Sequence, residues 1–284
     1  MRSESGEPPN APLHRMCSVW RGTITARMPE GICQLCLKKG PLMDSHVLPK
    51  ALYRYLRASG GSDPVSVTKD RVHQSSKQVT AYLLCSACEK LLNENGERWM
   101  LHQGFRGQHR FRLREALLRA TPLGPVHDGI AYSASNITEL DVARIAYYAS
   151  SVFWRASLPS SSNDREYQIS LGKGYEAAFR EYLLGCACFP SSAALVVQVA
   201  NTNSPLQAFC FPFSQRHDGY HHHSFFAQGV LFWLFVGGRL PAKLDYICIV
   251  RSKAQVIFLS DKLEESVQSG SIDLLADAMR KRKT

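Results

Sequence analysis

The sequence has no apolar run long enough to span a bilayer. Its longest, Phe225 to Gly238, is interrupted by Gln228 and Gly229, and falls short of the ~20 residues that a spanning helix needs. The first residues, MRSESGEPPNAPLHR, contain no apolar core of the kind a signal peptide carries, so neither secretion nor a membrane partner is expected. The nine cysteines are an odd number and cannot all pair as disulfides. In a reducing compartment thiols stay free or bind metal, and a cytoplasmic protein is expected. Acidic residues are the scarcer charge, 24 against 34 Lys and Arg, for a formal net charge of +10. That balance favours a polyanionic partner, nucleic acid being the commonest. No internal repeat is visible. No triad, phosphate loop or cofactor signature occurs in the second half of the chain.

What remains is a globular composition. The 284 residues are 45% apolar and 20% charged, enough for a sizeable core. Residues 1–28, with Pro8, Pro9 and Pro12 among Ser, Gly and Glu, read as a disordered tail. KALYRYLRA places Leu52, Tyr53 and Leu56 at helical spacing. The polar stretch from Ser62 to Gln78 reads as a loop or a hairpin arm, and TAYLLC as a strand. From Ser86 to about His102 the spacing is again helical, although Gly96 weakens it. Pro122, Gly124 and Pro125 mark a boundary. Beyond it, LDVARIAYYASSVFWRAS is a long buried helix, and YEAAFREYLLG is a shorter one with Gly185 as its cap. AALVVQVA, LQAFCFPF, VLFWLFVGG, YICIV and QVIFL have the β-branched and aromatic content of antiparallel strands. LEESVQSGSIDLLADAMRKRK would end the chain as a helix with a basic last turn. The expectation is an α+β protein: a small metal module with a basic helical extension over 29–120, then a larger domain of helices and antiparallel sheet over 126–284.

The module is expected from Cys33, Cys36, Cys85 and Cys88. A C-x-x-C turn presents two thiolates from one bend, and zinc takes four such ligands in a tetrahedron. Two turns of the same spacing, 48 residues apart, can complete one structural site. Buried free cysteines are the alternative. Cys186 and Cys188, a C-x-C pair near a helix end, are expected to pack against the larger domain.

Between the pairs lies Asp44–Ser45–His46–Val47–Leu48–Pro49. CQLC, DSHVLP and LLCSACE, in that order, resemble the HNH endonuclease family, a ββα-metal fold on a treble-clef zinc finger. The likeness covers residues 33 to about 100. SHVLPK, LLCSACE and the run Phe153–Trp154–Arg155–Ala156–Ser157 are also similar to a bacterial subgroup of that family with no assigned function. The resemblance implies that His46 is a general base activating water against a phosphodiester; imidazole titrates near neutral pH, as that task requires. It implies a divalent cation, Mg²⁺ or Mn²⁺, with hard oxygen ligands. Asp44 on the hairpin and Glu89 on the helix are the candidates, with Asn93 one turn further at i+4. Three positions depart from the family pattern. Ser45 separates the acidic residue from His46, no asparagine precedes Cys85 (Thr80 and His73 are nearest), and Glu89 stands where His or Asn is usual. For Glu89 a favourable charge in the first helical turn is the other reading. Asn93 and Glu97 also fit solvated helix positions.

Arg98, Arg106, Arg110, Arg112, Arg114 and Arg119 follow the module, interleaved with His102, Phe105, His109 and Phe111. Guanidinium forks suit phosphate oxygens, so this run is the candidate nucleic-acid contact, and a solvated helix face is its alternative. His221, His222 and His223 cannot all face one metal from a strand and are expected on a loop or strand edge. The expected function is metal-dependent cleavage of DNA, with RNA second, in a role such as defence against foreign DNA. The larger domain would bind a partner, a signal or the substrate, or self-associate. The rival is a non-catalytic zinc-finger module that binds nucleic acid or protein.

Overall fold

A computed structural model describes residues 28–58, 65–67, 72–74, 78–105, 110–126, 128–159, 167–202 and 208–263. Arg106, His109, all but the last residue of the expected tail and nearly all of the expected C-terminal helix lie outside them.

The fold is α+β, built on one nine-stranded sheet of order β5-β4-β10-β11-β12-β9-β13-β8-β7. Its centre is β9 (Ala193–Ala200), β10 (Ala208–His217), β11 (Tyr220–Ala227), β12 (Val230–Gly237) and β13 (Val256–Ser260). Of these, β9, β12 and β13 read as near-continuous apolar runs because both their faces are covered. Leu195, Val197, Phe225, Phe232 and Leu234 fill one face, and Val196, Phe226, Leu231, Trp233 and Phe235 the other.

The sheet is mixed where an antiparallel one was expected. β4 (Val65–Val67) pairs parallel with β10, and β9 pairs parallel with β13. With β5 (Val72–Gln74), β4 forms a hairpin at one edge. At the other edge, β8 (Gly129–Ser133) carries β7 (Pro122–Val126). Two prolines suit an edge, where a missing N–H breaks no inner ladder. YICIV is not a strand. Leu244–Ile247 makes a single helical turn, α6, and Cys248 and Ile249 are buried beyond it. Conversely, β11 is an inner strand between β10 and β12. The three histidines therefore lie neither on a loop nor on an edge, and His222 and His223 are fully covered.

Helix α4 (Val142–Ser157) lies on the first face, with Asp141 capping it by accepting from the Arg144 N–H at 3.0 Å. Tyr148 and Phe153 meet Phe225 with ring centroids 6.0 and 5.0 Å apart. Helix α5 (Lys173–Leu183) ends at Gly185, whose φ of 75° suits glycine. The Gly185 N–H donates to Tyr182 O and the Cys186 N–H to Glu181 O, the two bonds of a Schellman stop. Cys186 and Cys188 are exposed just beyond, not packed as expected.

The cysteine-bearing segment packs on the same face. β1 (Glu30–Ile32) and β2 (Lys39–Pro41) form one hairpin, and β3 (Met43–His46) pairs antiparallel with β6 (Thr80–Leu84). Helix α1 (Lys50–Ala58) follows β3, and α2 (Ser86–Leu92) follows β6. Past Leu92 the helix widens into π-helical turns at Asn93–Glu97 and Met100–Gly104. Gly96 has a packing reason there. A Cβ on it would lie 2.9 Å from the Tyr148 backbone N and Cα, so only glycine lets this helix cross α4 so closely. One apolar core runs from Leu35, Leu48 and Leu92 to Val152, Val197 and Phe225.

Candidate metal centre and its surroundings

Cys33 and Cys36 sit in the tight turn between β1 and β2. The Leu37 N–H donates to Cys33 O at 2.8 Å and the Cys33 N–H to Lys38 O at 2.9 Å, with Leu37 at φ 60°. A bond from the Gln34 N–H to Leu83 O, 2.9 Å, holds this turn against β6. Cys85 is the N-cap of α2 and Cys88 lies in its first turn; the Glu89 N–H donates to Cys85 O at 3.0 Å. Turn and helix start thus bring the two dithiols together.

All four sulfurs lie within 4.8 Å of one another. Cys36 Sγ and Cys85 Sγ are 3.9 Å apart, far beyond a disulfide of ~2.05 Å. A tetrahedron with Zn–S bonds of ~2.3 Å has edges of about 3.8 Å. The four residues therefore fit a metal ion such as zinc. Burial, then its hydrogen bonding with Cys85, Cys33 and Cys36, pushes the Cys88 thiol up from its ordinary value. Four crowded sulfurs resist gaining charge alone, and a cation between them reverses that preference.

The other expected site residues are placed as follows. On β3, Asp44 is exposed, Ser45 buried and His46 half-buried, so Asp44 and His46 share the face opposite Ser45. Opposite them on β6 stand Tyr82 and Thr80. His46 Nε2 lies 2.7 Å from Gln78 Oε1. An amide oxygen only accepts, so Nε2 is the donor in this contact. Glu89 is half-buried, and its Oε1 is enclosed with no hydrogen-bond partner. Asn93 is exposed. Among the described residues, the four cysteines are the one group of three or more His, Cys, Asp or Glu side chains whose ligand atoms converge. Asp44, His46 and Glu89 are not drawn into a second one.

Glu97 departs from the solvated position expected of it. It is 8% exposed, and its Oε1 accepts from Arg155 Nη2 at 2.5 Å; Arg155 is itself 2% exposed. Arg155 Nε also donates to Ser151 O at 3.2 Å. The helix that starts at Cys85 is thereby bonded to α4 through the middle of the run Phe153–Ser157.

The arginine run is partly spent on the fold. Helix α3 (Arg112–Arg119) carries half of it, Arg112, Arg114 and Arg119. Arg110 pairs with Glu115 at 2.8 Å, and Arg119 with Glu139 at 3.0 Å. Arg114 Nε donates to Asn201 Oδ1 at 3.0 Å, and Arg112 Nη1 to Gln103 Oε1 at 3.3 Å. Arg98 is exposed. Arg110, Arg112 and Arg119 line a cleft of about 230 Å³ with Trp99 and both glutamates.

Gln78 was not legible as a site residue, since it belongs to no spaced motif, and the run that contains Arg155 gave no sign of its pairing with Glu97. Among the described residues no helix is long and apolar enough to cross a membrane. Comparison of the chain with family models, with curated proteins and with solved structures finds no match.

Proposed function

We propose that this chain is an HNH-type nuclease. In this reading a treble-clef module, made of the cysteine turn, the β3–β6 hairpin and α2 around one zinc ion, presents His46 to a phosphodiester in DNA or, second, RNA. The zinc would fix the hairpin against the helix and take no part in the chemistry. The observation that carries the reading is how His46 is held: half-buried on the face it shares with exposed Asp44, with Nε2 tied to Gln78. That arrangement suits a base that takes a proton from attacking water. Arg98 and the exposed part of the arginine run would hold the phosphate backbone without reading sequence. Glu89 and Asp44 would be the carboxylates nearest a Mg²⁺ or Mn²⁺ ion, which when bound supplies positive charge to the phosphate. A role in defence against foreign DNA rests on analogy alone.

A second reading, a non-catalytic zinc module that binds nucleic acid or protein, draws on a different observation. Among the described residues Asp44, His46 and Glu89 do not gather as a metal group.

Plasmid nicking separates the two. The nuclease should nick supercoiled DNA with Mg²⁺ or Mn²⁺. His46→Ala should cut the rate by about 10²–10⁴-fold while zinc content stays at one per chain. Equal nicking by wild type and His46→Ala removes the assigned base. No nicking by wild type with either cation, together with retained DNA binding, supports the second reading.

A further inference from the structure

A second cleft, of about 400 Å³, opens at the far end of the large sheet, where the β10–β11 turn meets the start of α5. Its volume is that of a small-molecule site. Arg216, His217 and His221 line it with Tyr175 and Tyr220, and no Asp or Glu does. Asp218, at the tip of the turn, is exposed and outside the lining.

Three features give the cleft one chemical character. The Arg216 guanidinium has no ion-pair partner among the described residues, in contrast to Arg110, Arg119, Arg155 and Arg251. Arg216 and His221 are direct partners on adjacent antiparallel strands, so guanidinium and imidazole stand on one face. The third feature is the beginning of α5. Gly172, which lines the cleft, offers no side chain to cap the helix, and the first amides, which have no intrahelical acceptor in any helix, carry the positive end of the helix dipole. The scaffold around these groups is fixed. Tyr175 Oη accepts from the Gly237 N–H at 2.9 Å and lies 3.2 Å from Ser192 O, joining α5 to β12. His217 stacks on Tyr220 with ring centroids 4.7 Å apart, and its Nε2 lies 2.8 Å from His222 Nδ1.

We propose that this cleft binds a small oxyanion-bearing ligand, its phosphate or carboxylate group held by Arg216 and His221 against the first turn of α5. Fork-shaped donors with an imidazole beside them and no competing carboxylate are the complement of such a group. The site is independent of the cysteine cluster and of the nuclease reading.

Calorimetric titration of the full chain tests it, with inorganic phosphate and acetate as separate probes and chloride at equal ionic strength as reference. We expect saturable binding of at least one oxyanion, weakened about tenfold or more by Arg216→Gln and by His221→Gln. Lys253→Gln, at an exposed lysine outside the cleft, should leave the affinity unchanged. Phosphate preferred over acetate assigns the phosphate class, and the reverse the carboxylate class. Heats no larger than those of chloride, or affinity retained in both cleft variants, would overturn the proposal.

Discussion

Replacing Glu97 by Gln keeps the side chain's shape and removes its charge, leaving the Arg155 guanidinium at 2% exposure without a counter-ion. Breaking a buried ion pair from one side costs about 3–5 kcal/mol, because the remaining charge stays desolvated. The lower end applies here. The Gln oxygen can still accept from Nη2, and Ser151 O continues to accept from Nε at 3.2 Å. Arg155→Met should cost a similar amount from the other side. The double variant Glu97→Leu/Arg155→Met removes both charges together and should recover most of the loss, to within about 1 kcal/mol of wild type. Urea unfolding compares the four proteins, with unchanged slopes showing that the unfolded states are comparable. Single variants that each lose less than about 1 kcal/mol would refute this account of how the cysteine-bearing helix is locked to α4. So would a double variant as unstable as the two losses summed.

Other outcomes follow from the same packing. Gly96→Ala should destabilise by about 1–3 kcal/mol, because the new methyl meets the Tyr148 backbone at 2.9 Å. A rise in thermal midpoint, the result that alanine's helix propensity alone would give, would contradict the close crossing. Burial holds His222 down to about 4 and His223 to about 3. Their unfolded imidazoles take protons near pH 6.5 while the folded ones do not. Stability is therefore full above pH 6.5 and falls below it, by about 1.4 kcal/mol per pH unit for each residue. Equal urea midpoints at pH 7 and pH 5 would oppose this, and His222→Gln should flatten the slope. Loss of zinc or of the folded state in His46→Ala, in place of a simple loss of nicking, would recast His46 as a structural residue.

The parts of the fold legible in the sequence were those with one dominant period or one stop signal. α4 showed its 3.6-residue repeat, α5 its terminal Gly185, and β9, β12 and β13 their apolar runs. The strand β11 was hidden because its first half is Tyr-His-His-His, polar by composition, yet His222 and His223 are covered, one on each face. YICIV misled in the other direction. Its residues suit a strand, but the segment turns over the sheet and covers it. Of the site, the two C-x-x-C turns were plain, since metal geometry depends on local spacing. The partners that position the flanking residues, Gln78 for His46 and Arg155 for Glu97, are 32 and 58 residues away in the chain, and no local spacing ties either to its partner. Tertiary packing alone places them. Glu97 was misjudged for that reason, its solvated position being a guess about a face that α4 in fact covers.

The central claim is that Cys33, Cys36, Cys85 and Cys88 hold one metal ion. X-ray absorption at the zinc edge, with elemental analysis of the same sample, tests it most directly. The account predicts one zinc per chain with four sulfur neighbours at about 2.3 Å, and loss of that shell in Cys85→Ser. A pure, folded chain without metal would contradict it, as would a zinc ion bound chiefly by nitrogen and oxygen.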